Sequence, residues 1–183
     1  MQEVVEDNVG KGVWKPTEQS DWATPIVSIV KPDGSVRLCG HYKVTVNKQC
    51  LVDPYPKSRI EDIFAELRGG QLFSKIDLHS VYSQVPVHDE SLPYLTVNTH
   101  LGLFKVKRLP FGVNAAVGIF QSIVSGVLKG LDCGCVYLVD VLITGRDVAE
   151  HLHNIQLVLE RLKRGGPTIK KRPYPFSSHL LII

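Results

Sequence analysis

Two aspartates stand at the ends of apolar strands, and carboxylates so placed can hold a metal ion. Cys135-Val136-Tyr137-Leu138-Val139-Asp140-Val141-Leu142-Ile143-Thr144 reads as an apolar strand, a two-residue turn and a second apolar strand, with Asp140 at the hairpin tip. Upstream, Phe73-Ser74-Lys75-Ile76-Asp77-Leu78 is a further apolar strand, ending at Asp77. Mg²⁺ takes oxygen ligands and acts on phosphates, so the pair points to phosphoryl chemistry. The plainer alternative is that each aspartate caps its strand and faces water.

The elements that must position these carboxylates follow from turn and period signals. Ile26–Val30 and Val36–Cys39 flank Lys31-Pro32-Asp33-Gly34-Ser35, where Pro presets φ and Gly permits a positive φ; this predicts a β-hairpin. The prolines of Val52-Asp53-Pro54-Tyr55-Pro56 keep that stretch extended. Ser58 then caps a helix with Ile60, Ile63, Phe64 and Leu67 at helical spacing, stopped by Gly69-Gly70. A second hairpin joins Tyr94–Thr99 to Leu103–Lys107. Residues 115–130 predict a helix with Ile119, Phe120, Ile123, Val127 and Leu131 as its buried stripe.

Beyond the central hairpin, Asp147 to Glu150 resembles a capping box with Asp in the first place. The helix it opens carries Leu152, Ile155, Val158, Leu159 and Leu162 on one face and stops at Gly165-Gly166; Thr168–Lys170 adds a short strand. So many hairpins require a mainly antiparallel sheet, giving an α+β fold with helices on one face. Residues 1–20 are polar and weakly patterned, a lead-in with room for one short helix.

Composition narrows the class. The chain has 183 residues, 44% of them hydrophobic and 21% charged, as in an ordinary globular protein with a real core. A net charge of +3 neither requires nor opposes a nucleic-acid partner. Cys39, Cys50, Cys133 and Cys135 lack zinc-site spacing, so reduced thiols are expected. No apolar run approaches a membrane span, and the N-terminus lacks a signal-peptide pattern, so the expected setting is cytoplasmic or nuclear.

Several of these stretches occur in a telling order. Ser20-Asp21-Trp22-Ala23-Thr24-Pro25-Ile26-Val27 precedes the Lys31–Cys39 hairpin; then come Phe73-Ser74-Lys75-Ile76-Asp77-Leu78, Arg108-Leu109-Pro110-Phe111-Gly112, Phe120-Gln121 and Tyr137-Leu138-Val139-Asp140. The series closely resembles the fingers and palm of the reverse transcriptase of gypsy-type long-terminal-repeat retrotransposons. The resemblance covers about residues 10–172 and implies interleaved fingers and palm over 21–172, with 173–183 an unmatched tail. It implies RNA-directed DNA synthesis by a two-metal mechanism on Mg²⁺, with an RNA or DNA primer–template and a deoxynucleoside triphosphate as partners.

By the same resemblance, Asp77 and Asp140 are the carboxylates of the catalytic and metal site. Lys31 and Arg37 meet the triphosphate, Tyr82 abuts the nucleotide sugar, Phe111 lies by the nascent base pair, and Gln121 stands in the helix that follows. Each has a plainer role: a solvated hairpin face for Lys31 and Arg37, packing for Tyr82 and Phe111.

The departures matter as much as the match. The family has Tyr-x-Asp-Asp where this chain has Tyr137-Leu138-Val139-Asp140, so Val139 occupies the place of a metal-binding aspartate. An isopropyl group cannot ligate a metal, and strand alternation would turn Asp140 to the opposite face from position 139. His41 stands where the family usually has Asp, Val117 where it has Pro, and Leu92-Pro93 where it has a basic pair. The thumb and ribonuclease H regions of such polyproteins lie outside the match. The expectation is a reverse transcriptase domain that has lost catalysis; the alternatives are a non-catalytic nucleic-acid platform and a decayed reading frame.

Overall fold

The computed structural model describes residues 1–32, 34–50, 60–78 and 81–165. In chain order the strands are β1 Trp14–Thr17, β2 Thr24–Val30, β3 Val36–Gly40, β4 Leu72–Asp77, β5 Thr96–Thr99, β6 Gly102–Val106, β7 Gly134–Tyr137 and β8 Asp140–Gly145. The helices are α1 Gln2–Gly10, α2 Ile60–Glu66, α3 Ala116–Leu128 and α4 Val148–Gly165. The expected Val52–Pro56 extension, the Ser58 cap, the Thr168–Lys170 strand, the 173–183 tail and Asp33 of the first turn lie outside the described residues. The chain divides into two compact units, Met1–Asp53 with Tyr82–Ala116, and Pro54–Val81 with Val117–Ile183.

The first unit is built on a five-stranded sheet in the order β1-β6-β5-β2-β3. Every neighbour is antiparallel except β2 with β5, which run parallel. Both predicted hairpins are present, β2–β3 and β5–β6. The core beneath the sheet gathers Val5, Trp14, Tyr42, Val46, Leu95, Val97, Phe104 and Val106.

Residues 1–20 are therefore more than a lead-in. Val5 of α1 is 1% exposed, and the Trp14 ring lies 5.7 Å from that of Phe104. Their pattern escapes notice because β1 has only four residues and contains Pro16, tolerable on a sheet edge where its missing N–H faces outward.

The second unit holds a three-stranded antiparallel sheet in the order β4-β8-β7, with α4 packed on β4 and β8. The central hairpin forms, but its turn is Leu138-Val139, and Asp140, expected at the tip, is the first residue of β8, paired to Tyr137. Leu138 carries φ 56°, a left-handed conformation that costs an L-residue about 1–2 kcal/mol. Asp147 caps α4 as expected, its Oδ1 accepting the Glu150 N–H at 2.8 Å. The Glu150 carboxylate accepts the Arg146 N–H at 2.8 Å and its guanidinium at 2.9 Å. The Arg146 contacts hold Glu150 below the usual carboxylate range.

Three helical stripes differ from those the sequence suggests. In α2 only Ile63 is buried, while Ile60 and Phe64 are exposed. In α3 the buried set is Ala116, Phe120, Gln121, Val124 and Leu128, and Ile123 is exposed. In α4 it is His151, Asn154, Val158 and Leu162, and Leu152 is exposed. The polar members shift the stripe, because each finds a hydrogen-bond partner in the interior and hydrophobicity alone does not count it. The whole is an α+β fold, mainly antiparallel, as expected.

Candidate active site

The β4–β8 register pairs Asp77 with Asp140, Ile76 with Val141 and Lys75 with Leu142. Directly opposed residues of an antiparallel pair share a face, so the two carboxylates are cross-strand neighbours, with Cβ atoms about 4.5–5.5 Å apart. Strand alternation predicts that Asp140 and position 139 lie on opposite faces. Alternation does not apply between positions 139 and 140, because Val139 sits in the turn and Asp140 begins the strand.

Lys75, two residues before Asp77, shares that face. Its Nζ lies 2.7 Å from Asp140 Oδ2. The hydrogen bond to Asp140 holds the Lys75 pKa up against partial burial, and the Asp140 and Asp77 charges add to it. An ammonium thus already engages one oxygen of Asp140, and position 139 offers only a half-buried isopropyl group. With Asp140 so engaged and no third carboxylate beside it among the described residues, the Asp77–Asp140 pair does not fit two divalent ions. Among the described residues no group of three or more His, Cys, Asp or Glu is placed to hold a metal.

Behind the sheet, a polar layer holds the strands on which these carboxylates stand. Ser74, on the other face of β4, has its Oγ 2.8 Å from His151 Nε2. Asn154 Nδ2 donates to the Thr144 carbonyl at 2.8 Å, and Thr144 Oγ1 to the Leu72 carbonyl at 3.3 Å. Gly145 must be glycine, since a Cβ there would lie 2.6 Å from His151 Cα. Sequence reasoning passed over His151 and Asn154; the signal was their place seven and four residues before Val158 on one helical face. Gln121 is 2% exposed and its Nε2 donates to the Val136 carbonyl at 3.3 Å, so it braces β7 from the core.

In the first unit, three of the predicted nucleotide residues come together. The Arg37 guanidinium lies 4.5 Å over the Phe111 ring, and Phe111 meets Tyr82 edge-on at 4.9 Å. Tyr82 is buried on a 3₁₀ turn, Tyr82–Gln84, and burial pushes its phenol pKa up. Arg37 keeps an exposed position on β3, so its charge is presented by the aromatic pair rather than buried with it.

The Phe111 loop is clamped by Asn47, which the sequence did not single out. Asn47 Nδ2 donates to the Gly112 carbonyl at 2.7 Å, and its Oδ1 accepts the Asn114 N–H at 2.9 Å. Gly112 has φ 97°, and a Cβ there would lie 2.8 Å from the Gly40 carbonyl oxygen. Lys31 stands apart from the stack at the hairpin turn, where its backbone carbonyl accepts the Gly34 N–H at 2.9 Å.

Antiparallel-rich sheets interrupted by helices, with aspartates paired across β4 and β8, define an α+β class of protein. Residues 29–172 match the family model described as reverse transcriptase (RNA-dependent DNA polymerase), and the chain belongs to that family. An uncharacterized Caenorhabditis elegans protein is 36% identical over 157 residues, covering 85% of this chain and 12% of that protein. The retrovirus-related Pol polyprotein from transposon 297 of Drosophila melanogaster is 30% identical over 169 residues, 88% of this chain and 15% of that polyprotein. The chain thus spans a small part of the curated relatives it matches. The foamy viral protease–reverse transcriptase solved in complex with double-stranded DNA superposes with a TM-score of 0.83 at 26% identity, over 92% of this chain and 30% of that one. Among the described residues no helix is long and apolar enough to cross a membrane.

Proposed function

We propose that this chain is the fingers and palm of a gypsy-type retrotransposon reverse transcriptase whose nucleotidyl-transfer centre is degenerate. In this reading it still contacts primer–template and triphosphate but does not extend a primer. The observation that carries it is Val139: the turn beside Asp140 offers no carboxylate to complete the set begun by Asp77 and Asp140. Intact parts elsewhere support the family's binding role. Arg37, Phe111 and Tyr82 remain stacked, and Asn47 still holds the Phe111 loop.

Binding without catalysis would be mostly electrostatic, through Lys31, Arg37 and Arg108 against a net charge of only +3. Primer extension on an RNA template with a DNA primer, in Mg²⁺ and again in Mn²⁺, tests the catalytic part. The expected result is incorporation no higher than that of Asp77→Asn. Incorporation clearly above that control would overturn the reading.

A further inference from the structure

We infer that a second copy of this chain docks on the flank of α4, its own α4 running antiparallel along a seam of Val148, Leu152, Ile155 and Leu159. The inference stands apart from the proposed function.

The helix carries two stripes. His151, Asn154, Val158 and Leu162 are buried where α4 packs on β4 and β8, and half of that set is polar. Val148, Leu152, Ile155 and Leu159 are wholly apolar. At about 100° per residue they lie roughly a quarter turn round the helix from the buried set. Val148 is 64% and Leu152 61% exposed, while Ile155 and Leu159 are half-buried. A single exposed apolar side chain is ordinary; a contiguous row of them marks an interaction site.

The spacing of the row fits another helix. Steps of four, three and four residues make the seam of a two-stranded coiled coil. The order is also self-complementary. Turned about a two-fold axis between His153 and Asn154, the seam sets Val148 against the second copy's Leu159, and Leu152 against the second copy's Ile155. Each layer then joins the N-terminal half of one helix to the C-terminal half of the other, and the arrangement closes at two copies.

Charge selects that direction. Arg146, Asp147 and Glu150 leave the N-terminal end of α4 net negative. Glu160, Arg161, Lys163 and Arg164 leave the C-terminal end net positive. Antiparallel helices bring unlike ends and opposed dipoles together, whereas parallel ones bring like ends together. Along the solvent side of the seam, Ala149 and Gln156 put no charge between the copies. Because α4 lies behind the sheet, the pair leaves the face with Asp77 and Asp140 open in both copies. Four residues a side bury far less than the ~800 Å² per partner of a standard interface, so the pair is weak and exchanging.

Sedimentation equilibrium of the intact chain over a wide concentration range tests the inference, under reducing conditions that keep its free cysteines apart. The expected result is a reversible monomer–dimer equilibrium. Leu152→Glu and Val148→Glu should each weaken it about tenfold or more. Both should leave the thermal midpoint of the dilute monomer unchanged, because both positions are exposed. Lys163→Glu should weaken it severalfold by making both ends of α4 acidic; a parallel pair, with position 163 facing itself, would be indifferent. A monomer at every concentration, growth beyond two copies, or a dimer that both glutamate variants of the seam leave intact would overturn the docking site. A dimer that Lys163→Glu leaves unchanged would overturn its antiparallel arrangement.

Discussion

Asp77 and Asp140 face each other across the β4–β8 register, with the Lys75 ammonium 2.7 Å from Asp140 Oδ2. Two like charges on one face repel, and Lys75 is the cation that offsets them. The Lys75 side chain is 60% exposed, so water screens much of the attraction.

Lys75→Met should accordingly cost about 1 kcal/mol or less of unfolding free energy. In an Asp140→Asn background the same change should cost less still, because the charge it balances is gone. Urea denaturation of the four proteins of this cycle checks the coupling. Strictly additive changes would show that the ion pair contributes nothing to stability.

The α4 stripe gives a second expectation. Asn154→Leu leaves the buried Thr144 carbonyl without its donor and should cost about 1–3 kcal/mol. Leu152→Ala, at an exposed position, should stay within about 0.5 kcal/mol. Chemical denaturation would show the reverse order if the wholly apolar stripe were the buried one.

That contrast marks what was legible in the sequence. The central hairpin and the Asp77 strand could be read directly, since each is a contiguous apolar run closed by a turn. The family order of Asp77, Phe111, Gln121 and Tyr137 to Asp140 was legible for the same reason. The buried faces of α2, α3 and α4 were not, because the face a helix buries depends on its partner. Ile60, Phe64, Ile123 and Leu152 were expected inside and lie outside. His151 and Asn154 went unnoticed because a polar side chain gives no hydrophobic signal until its partner, Ser74 or the Thr144 carbonyl, is known. The β1 strand was hidden by its brevity and by Pro16.

Alkaline pH should destabilise the fold. Burial pushes the Cys135 thiol from 9.0 up to about 11, with the Glu66 charge adding to it. Burial also raises the Tyr42 and Tyr82 phenols, and the Asp140 hydrogen bond raises Lys75. Each folded pKa lies above its unfolded value, so each contribution is complete below the unfolded value and is lost as pH rises through the folded one. Unfolding free energy should therefore begin to fall near pH 9 and still be falling at about pH 11. Cys135→Ala should flatten the early part of that decline; an identical profile in the variant would place the cause elsewhere.

The proposed loss of a metal ligand at position 139 is tested most directly by calorimetric titration of Mn²⁺ into three proteins: the unaltered chain, Val139→Asp, and Val139→Asp with Asp77→Asn. Val139 is half-buried in a turn, so its replacement should cost little stability and leave the fold intact for the comparison. The expected result is weak or no binding by the unaltered chain, measurable binding by Val139→Asp, and its loss again in the double variant. Equal affinity in all three would contradict the assignment of Asp77 and position 139 to one ancestral metal site.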